Sequence, residues 1–170
     1  MANHTLTAGS ILISAPSLQD PYFDKVVIYI TEHNEKGALG FVMNQLFERR
    51  FNELTEFRTS QPFPLYAGGP VDREKLFFIH RIPGSIAAGT PVADGVYYGG
   101  DFKQAVQYIN TASDAERNLR LFIGYSGWDA HELEAEIEEG SWLPVQASVT
   151  TLFEASEQSL WEELYKRKDP

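Results

Sequence analysis

The stretch that decides the fold is VVIYITEH at residues 26–33, which NEKG at residues 34–37 joins to ALGFVM at residues 38–43. Successive side chains of a strand point to opposite faces, and both faces of the first run are largely apolar. We therefore predict a strand that is covered on both sides. The short connection, with Asn34 and Gly37, is typical of a tight turn, so the two runs are predicted to form an antiparallel hairpin.

Other runs rich in β-branched and aromatic residues predict the remaining strands. These runs lie at residues 10–14, 75–81, 119–125 and 142–148. The stretch from Ile82 to Gly100 is rich in proline and glycine, and we interpret it as a long loop or flap. Strand runs that outnumber the helices favour an α+β fold with a mixed, mostly antiparallel sheet, in which residues 1–170 form one domain.

Three helices are predicted from their first residues. Asp101 begins the first helix and Asp129 the second, and in each a glutamine or glutamate three residues later completes a capping box. Gly140 is placed to end the second helix, because glycine readily adopts the left-handed conformation of a helix end. The third helix begins near Ser156, and a shorter helix is predicted near residues 51–57.

Composition excludes several classes of protein. The chain of 170 residues is 43% hydrophobic, which provides a sizeable core. It has no cysteine for a disulfide, a thiol nucleophile or a thiolate metal site. No basic head with a long apolar run begins the sequence, and no apolar run approaches the roughly 20 residues of a membrane span. We therefore expect a cytoplasmic protein that does not enter membranes.

The net charge is −10, and most of the acidic excess lies in the second half of the chain. Residues 86–170 carry fifteen Asp and Glu against six Lys and Arg, whereas residues 1–85 carry nine against eight. Because phosphate backbones repel an acidic surface, we expect no direct binding of nucleic acid. The six acids within residues 129–139 are interpreted as a solvated helix face, with a surface for a basic partner as the alternative.

The sequence GYSGW at residues 124–128 comes close to a nucleophile elbow. That motif requires G-x-S-x-G, and here a tryptophan stands where the smallest residue is needed. We interpret the segment as a tight strand-to-helix turn in which the tryptophan is a packing anchor. Its members are Gly124, Tyr125, Ser126, Gly127 and Trp128.

The histidines form no complete catalytic or metal motif. His33 follows Glu32, and His80 ends a predicted strand; a triad would have to join one of them to a serine and a carboxylate. We interpret these two histidines as structural or exposed. His131 begins no metalloprotease motif, because Ala135 occupies the position of the second histidine in H-E-x-x-H. We therefore predict no catalytic residue, no metal site and no cofactor.

A second glycine-rich segment, Gly68-Gly69-Pro70-Val71, follows the short run at residues 65–67. Phosphate-binding loops use successive backbone N–H groups and proline has none, so a phosphate site is not predicted. The glycines indicate unusual dihedral angles or a close approach of two backbones. With residues 97–100 (YYGG), the two glycine segments are the one constellation that we expect to line a binding pocket.

Several segments together resemble the AlgH/YqgE family of bacterial proteins. They are residues 9–20 (GSILISAPSLQD), 23–33, 37–40 (GALG) with Asn44, 68–71 (GGPV), 124–128 (GYSGW), 133–136 (LEAE), 142–143 (WL) and Trp161. These segments occur in the same order along the chain as in members of the family, and together they span nearly the whole chain. The resemblance implies a bifurcated, strongly twisted sheet that curls into a partial barrel, with helices packed outside it.

The resemblance implies little about activity, because the family is largely uncharacterised and one branch carries a transcriptional-regulator label. Family members often have alanine in place of Ser126, which argues against a serine nucleophile. We expect a non-enzymatic binding or regulatory protein in which residues 68–71, residues 124–128 and His33 contact a small ligand or a protein partner. The alternatives are a hydrolase with a histidine–carboxylate site and a transcription regulator that acts on DNA directly or through a partner. The oligomeric state stays open.

Overall fold

All the strands belong to one sheet. The computed structural model describes residues 6–18, 20 and 23–167, and these residues form a nine-stranded sheet. Its strands are β1 (Ile11–Ser14), β2 (Val27–Asn34), β3 (Gly37–Val42), β4 (Leu65–Ala67), β5 (Val71–His80), β6 (Thr90–Ala93), β7 (Val96–Tyr98), β8 (Leu119–Asp129) and β9 (Trp142–Val145). The order across the sheet is β6-β7-β5-β8-β3-β2-β1-β9, and β4 pairs with β8 outside this path. Because the β4–β8 pair is the one parallel pair among the described strands, the predicted α+β class with a mostly antiparallel sheet is confirmed.

The predicted hairpin is present as β2 and β3. Asn34 pairs with Gly37 next to the turn. Tyr29 packs in one core cluster, whereas its neighbour Ile30 packs in another cluster on the opposite face of the sheet. β2 is therefore covered on both sides, as its two apolar faces predict.

One face of the sheet, which we call the inner face, curls around a single core. This core takes side chains from both ends of the strand order, including Ile79 of β5, Val96 of β7 and Val145 of β9. The two ends of the strand order also approach each other. Gly9, just before β1, lies so close to β6 that a Cβ at position 9 would be 2.6 Å from the Cβ of Ala93. No pairing within the described residues joins β6 to β9. The sheet is thus a partial barrel that does not close, as the family resemblance implies.

β8 is the strand at which the sheet forks. Residues 121–123 pair with both β4 and β5, while residues 126–129 pair with β3. Gly124 lies between these two parts with a φ of +76°, a conformation that favours glycine. Residues 124–128 therefore lie inside a strand, and the prediction of a strand-to-helix turn there is wrong. Pairing with β3, which is distant in sequence, keeps this glycine-rich segment extended.

Gly68 and Gly69 carry the chain across β8. Because residues 121–123 pair with β4 and β5 at once, those two strands lie on opposite edges of β8, and their link has to cross its backbone. A Cβ at Gly69 would lie 2.2 Å from the carbonyl oxygen of Tyr125, and one at Gly68 would lie 2.4 Å from that of Gly124. These distances are shorter than any real contact, so the crossing requires glycine, as the predicted approach of two backbones implies.

The stretch from Ile82 to Gly100 is not a long loop. Residues within it form β6 and β7, which pair with each other, and β7 also pairs with the end of β5. Proline at position 91 obscures the strand in the sequence, but β6 lies at an edge of the sheet, where a missing N–H is tolerated. The segment extends the sheet by a hairpin, which corrects the interpretation as a flap.

The described residues contain five α-helices, some shorter than predicted. They are α1 (Phe102–Thr111), α2 (Ala115–Asn118), α3 (Glu132–Glu138), α4 (Val149–Glu154) and α5 (Leu160–Arg167); residues 51–57 form two short 3₁₀ turns. Asp101 caps α1 by accepting a hydrogen bond of 3.1 Å from the Gln104 N–H, as predicted. The Gln104 side chain accepts instead from the Ala87 N–H at 2.7 Å, so the capping box is only half formed.

Two helix boundaries differ from the predictions. α3 begins at Glu132 rather than after Asp129, because β8 continues to Asp129; the Glu132 carboxylate still accepts a hydrogen bond from the Asp129 N–H at 2.8 Å. The strand predicted at residues 142–148 ends at Val145, and Ser148 caps an additional helix, α4. Strand-favouring residues at the start of α4 explain why the sequence pattern missed it.

Candidate functional site

A groove lies where the tip of the β2–β3 hairpin stands beside the second half of β8 and the start of β5. It encloses about 390 Å³, and we call it the hairpin groove. Its lining residues are Glu32, Asn34, Lys36, Gly37, Ala38, Leu39, Val71, Tyr125, Gly127, Trp128 and Asp129. Four of them, at positions 71, 125, 127 and 128, belong to the set predicted from the sequence.

The groove exists because glycines interrupt two rows of side chains that cross the sheet. Glu32, Leu39 and Gly127 pair across β2, β3 and β8, so they share one face. The next row on that face ends at Gly37 and Asp129 in β3 and β8. At Gly127 and at Gly37 no side chain covers the backbone of the sheet. Glu32 supplies a carboxylate in the row of Gly127, and Asp129 supplies one in the row of Gly37.

One wall of the groove is aromatic and apolar. Val71 pairs with Tyr125 and is 37% exposed; among the described residues it and Leu46 are the large apolar side chains that are most exposed. The Tyr125 ring packs edge to face on Phe77, with 5.5 Å between ring centroids. Behind them the Tyr98 ring lies 5.8 Å from that of Phe41. The wall is therefore supported by the inner core, and Val71 presents apolar surface at its rim.

The groove is negative on balance. Burial raises the pKa of Tyr98, and the negative charge of Glu32 and the phenol of Tyr125 raise this pKa further. The negative charge of Glu32 is therefore close enough to affect the electrostatics of the aromatic wall. Asp129 adds a second carboxylate to the lining, against the single ammonium group of Lys36.

The residues of the glycine crossing lie beside the groove but do not line it. Gly68 and Gly69, which form the crossing, are buried, whereas Pro70 is exposed. Ser126 is 1% exposed, and its hydroxyl donates a hydrogen bond of 3.1 Å to the carbonyl oxygen of Gly68. The serine therefore stabilises the crossing and is shielded from any substrate.

Trp128 lines part of the groove, while its indole packs on the outer face with Leu133 of α3. The indole N–H groups of Trp128 and Trp142 both donate to one carboxylate oxygen of Glu136, at 3.0 and 2.9 Å. The two rings stand edge to face, 6.2 Å apart. The tryptophan is a packing anchor, as predicted, although it lies in a strand rather than a turn.

His33 does not join the predicted glycine surface. It contacts Glu134 of α3, with 2.8 Å between the imidazole Nε2 and a carboxylate oxygen. The hydrogen bond with His33 lowers the pKa of Glu134. Successive residues of a strand point to opposite faces, which explains why Glu32 lines the groove and His33 turns away from it.

His80 is a buried structural residue. Its Nδ1 accepts a hydrogen bond of 3.2 Å from the Ile82 N–H, and its Nε2 donates to the carbonyl oxygen of Gly99 at 3.1 Å. Burial lowers the pKa of His80, partly opposed by the hydrogen bond to Gly99. Both ring nitrogens are thus occupied, the Tyr97 ring stacks on this histidine, and none of residues 97–100 lines the groove. The two histidines therefore have separate partners, Glu134 for His33 and backbone groups for His80.

Sequence reasoning missed several lining residues of the groove, namely Asn34, Lys36, Leu39 and Asp129. Only the register between β3 and β8 brings them to one side. The available signal was glycine at 37 and 127 within strands, which often marks a close approach of another backbone or a ligand. Across the described ranges, no three His, Asp or Glu residues are grouped to hold a metal ion. In that same part of the chain, no helix has the length and apolar character needed to span a bilayer.

The forked, unclosed sheet with a groove at its hairpin defines an α+β protein of a distinctive architecture. Residues 11–170 match the AlgH-like family, and the chain belongs to that family. The resemblance found in the sequence is therefore confirmed.

Relatives and solved structures agree with this assignment. A UPF0301 protein of Bacteroides thetaiotaomicron is 33% identical over 94% of this chain and 81% of the relative. One of Chlorobium limicola is 35% identical over 96% and 87%. The solution structure of AlgH from Pseudomonas aeruginosa is similar with a TM-score of 0.76 and 26% identity, covering 98% of this chain and 92% of that one. Protein DIP2367 of Corynebacterium diphtheriae has the same fold, with a TM-score of 0.80, 21% identity and coverage of 99% and 91%.

Proposed function

We propose that this chain is a non-enzymatic, cytoplasmic binding protein whose hairpin groove takes up part of a partner. The single observation that carries the proposal is the composition of the groove, in which bare glycine backbone lies between a carboxylate, Glu32, and the exposed Val71. Binding sites combine concave apolar surface with a few polar groups in this way. An exposed apolar side chain at the rim of a groove gains most from being covered.

A binding role is favoured over catalysis by the hydrogen bonds of the candidate catalytic groups. The hydroxyl of Ser126, the ring of His33 and the ring of His80 each bond to a different structural partner. None of the three points to either of the others. A serine hydrolase would need the serine and one of the histidines in a single hydrogen-bonded arrangement.

The charge distribution favours a basic partner. The chain carries a net charge of −10, and the groove contributes two carboxylates and one ammonium group. Nucleic acid would be repelled by this field, whereas a basic segment of a protein would be attracted. A regulatory role would therefore act through a protein partner rather than through direct contact with DNA.

Native mass spectrometry of the protein isolated gently from its own host tests the proposal. We would compare the parent protein with Val71→Asp and with Leu46→Asp, because Leu46 is also a large exposed apolar residue (52% exposed) but lies away from the groove. The expected result is a bound molecule on the parent and on Leu46→Asp, and a loss of about tenfold in occupancy for Val71→Asp.

Equal occupancy in both variants would contradict the assignment of the groove. A parent protein without any bound molecule, and without protection of the groove amides from hydrogen exchange in host extract, would contradict the binding function itself. Both variants change exposed residues, so circular dichroism should report the same folded state for each.

A further inference from the structure

We infer that the hairpin groove binds an extended, basic segment of a partner protein, which adds a strand to the open edge of β8. This inference rests on the function proposed above and specifies its mode of recognition. Three observations support it: the open edge itself, the direction of its peptide groups, and the charge and shape of the surface beside it.

The second half of β8 is paired on one edge and open on the other. On one edge residues 126–129 pair with β3. On the other edge β5 reaches only as far as the pair of Val71 with Tyr125. No other strand within the described residues continues that ladder, and Tyr125, Gly127 and Asp129 of this part of β8 line the hairpin groove.

The hairpin register shows which peptide groups face this open edge. Asn34 and Gly37 flank the tight turn and bond to each other, so the peptide groups of the next residue, Ala38, point towards Trp128 of β8. Bonding alternates along an antiparallel ladder. The residue before Trp128, Gly127, therefore directs its N–H and its C=O away from β3 and into the groove.

The hydrogen bond of Asp129 supports the same assignment independently. Its N–H donates to the Glu132 carboxylate at 2.8 Å, as expected for a residue whose peptide groups point away from β3. Gly127 precedes it by two residues and has the same orientation. Gly127 is exposed and has no side chain, so another backbone can approach it directly.

Other sheet edges are protected by proline, whereas on this edge the Asp129 N–H is occupied by the Glu132 carboxylate and the Gly127 peptide groups have no such cover. The two outermost strands, β6 and β9, contain Pro91 and Pro144, which remove N–H groups from those edges. Proline is a common device for preventing unwanted strand addition. The open part of β8 (residues 127–129, GWD) contains none.

The surface beside Gly127 selects a long cationic side chain. A residue paired with Gly127 would project over the inner face, where the missing side chain leaves room next to Leu39. The aliphatic stem of a lysine or arginine would lie over Leu39, and its charged end would reach Glu32 in the same row. Val71 and Tyr125 lie on the same face, so they would pack against the aliphatic stem of the residue two positions further along the added strand.

Matched synthetic peptides test this mode. The probe is an acetylated, amidated octapeptide of alternating lysine and valine, titrated into the ¹⁵N-labelled protein. Two versions carry N-methyl groups on alternate residues, one on the lysines and one on the valines. In an antiparallel addition to β8, the lysine paired with Gly127 needs its own N–H for β8, whereas the valine N–H groups point outward. We expect methylation of the lysines to weaken binding by about tenfold and methylation of the valines to have little effect.

The amide of Gly127 supplies the direct readout. Binding of the unmethylated peptide should slow its hydrogen exchange by about tenfold or more, because the N–H becomes part of a ladder. Equal binding of both methylated peptides, with shifts at Val71 and Tyr125, would overturn strand addition but leave the proposed function intact. The Gly127 amide could instead be protected from exchange without any peptide, to a degree that grows with protein concentration. That result would mean that a second copy of this chain pairs with the edge, and it would also overturn the inference.

Charge variants test the basic partner separately. Glu32→Gln should weaken binding of the lysine–valine peptide by about threefold, an effect that salt reduces. Glu35→Gln is the matched control, because Glu35 lies at the exposed tip of the same hairpin and does not line the groove. Equal effects of the two variants, or equal binding of a glutamate–valine octapeptide, would contradict recognition of a basic segment. The native mass measurement uses none of these peptides, so the two proposals can fail independently.

Discussion

The backbone of Gly69 lies so close to that of Tyr125 that a Cβ at position 69 would stand 2.2 Å from the Tyr125 carbonyl oxygen. The same added atom would lie 2.4 Å from the backbone nitrogen of Ser126. Backbone atoms of a central strand cannot move aside as the end of a flexible side chain can. The contact between Gly69 and Tyr125 therefore fixes where the chain crosses β8.

We expect Gly69→Ala to lower the free energy of unfolding by about 1–3 kcal/mol or more, because the methyl group must displace the β8 backbone. Gly84→Ala is the control, since no atom lies within 4 Å of a Cβ there. Urea denaturation of both variants measures the difference. Equal stabilities would mean that the crossing is looser than described. Substitution of Gly69 thus tests folding, and Val71 is the better position for testing binding.

The burial of His80 predicts how stability depends on pH. The pKa of His80 in the folded protein lies below its ordinary value of 6.5, so the unfolded chain binds more protons in the acidic range. The contribution of His80 is therefore complete above about pH 6.5 and is lost as the pH falls below that value. In His80→Phe this part of the acid sensitivity should disappear.

His80→Phe should also lower the free energy of unfolding at about pH 8 by about 1–3 kcal/mol, because the Ile82 N–H and the Gly99 carbonyl lose their partner. The cost of the substitution should then shrink towards about pH 5.5. Ile79→Val, in the same strand but in the core on the inner face, is a control whose cost should not change with pH. A constant cost for His80→Phe would contradict the assigned neutral state.

Arg120 is predicted to stabilise the ends of two helices. Its guanidinium donates to the carbonyl oxygen of Glu116 in α2, at 2.6 Å, and to that of Phe153 in α4. Lysine cannot span both acceptors, so Arg120→Lys should lower the free energy of unfolding by about 1–3 kcal/mol. The exposed Arg117 provides the matched control, Arg117→Lys, for which thermal denaturation should show little change.

Glu136 is predicted to couple the two tryptophans of the outer face. Glu136→Gln removes the charge that accepts both indole N–H groups, so the indole resonances of Trp128 and Trp142 should shift together. Trp161 is an internal reference, because its indole donates to the Ser14 carbonyl instead. Glu138→Gln, at an exposed position of the same helix, should move none of them. A shift of only one resonance would disprove the shared acceptor.

Sequence patterns predicted the elements whose signals are local. The β2–β3 hairpin follows from alternation and the Asn34–Gly37 turn, and α1 follows from the cap at Asp101. The second half of β8 was predicted wrongly because its glycines and the Asp129–Glu132 contact are local signals for a turn. Pairing with β3, far away in sequence, overrides those signals.

The candidate site was predictable only in part for the same reason. Tyr125 and Gly127 were identified because aromatic and glycine residues cluster there, and they line the groove. His33 was assigned to the same surface by its place at a strand end, yet the register of β2 turns it to α3. Which face a strand residue occupies depends on pairing, and a shift of one residue reverses it.

The crossing at Gly69 also constrains the order in which the molecule is assembled during synthesis. β4 and β5 leave the ribosome early, but they lie on opposite edges of β8 and have no edge of their own to share. Until residues 119–129 are made, the nascent chain holds two separate half-sheets with unsatisfied edges between them. When β8 pairs with the strands on both of its edges, it joins the two half-sheets. A chain truncated before this strand should therefore be retained by chaperones rather than released as a smaller folded protein.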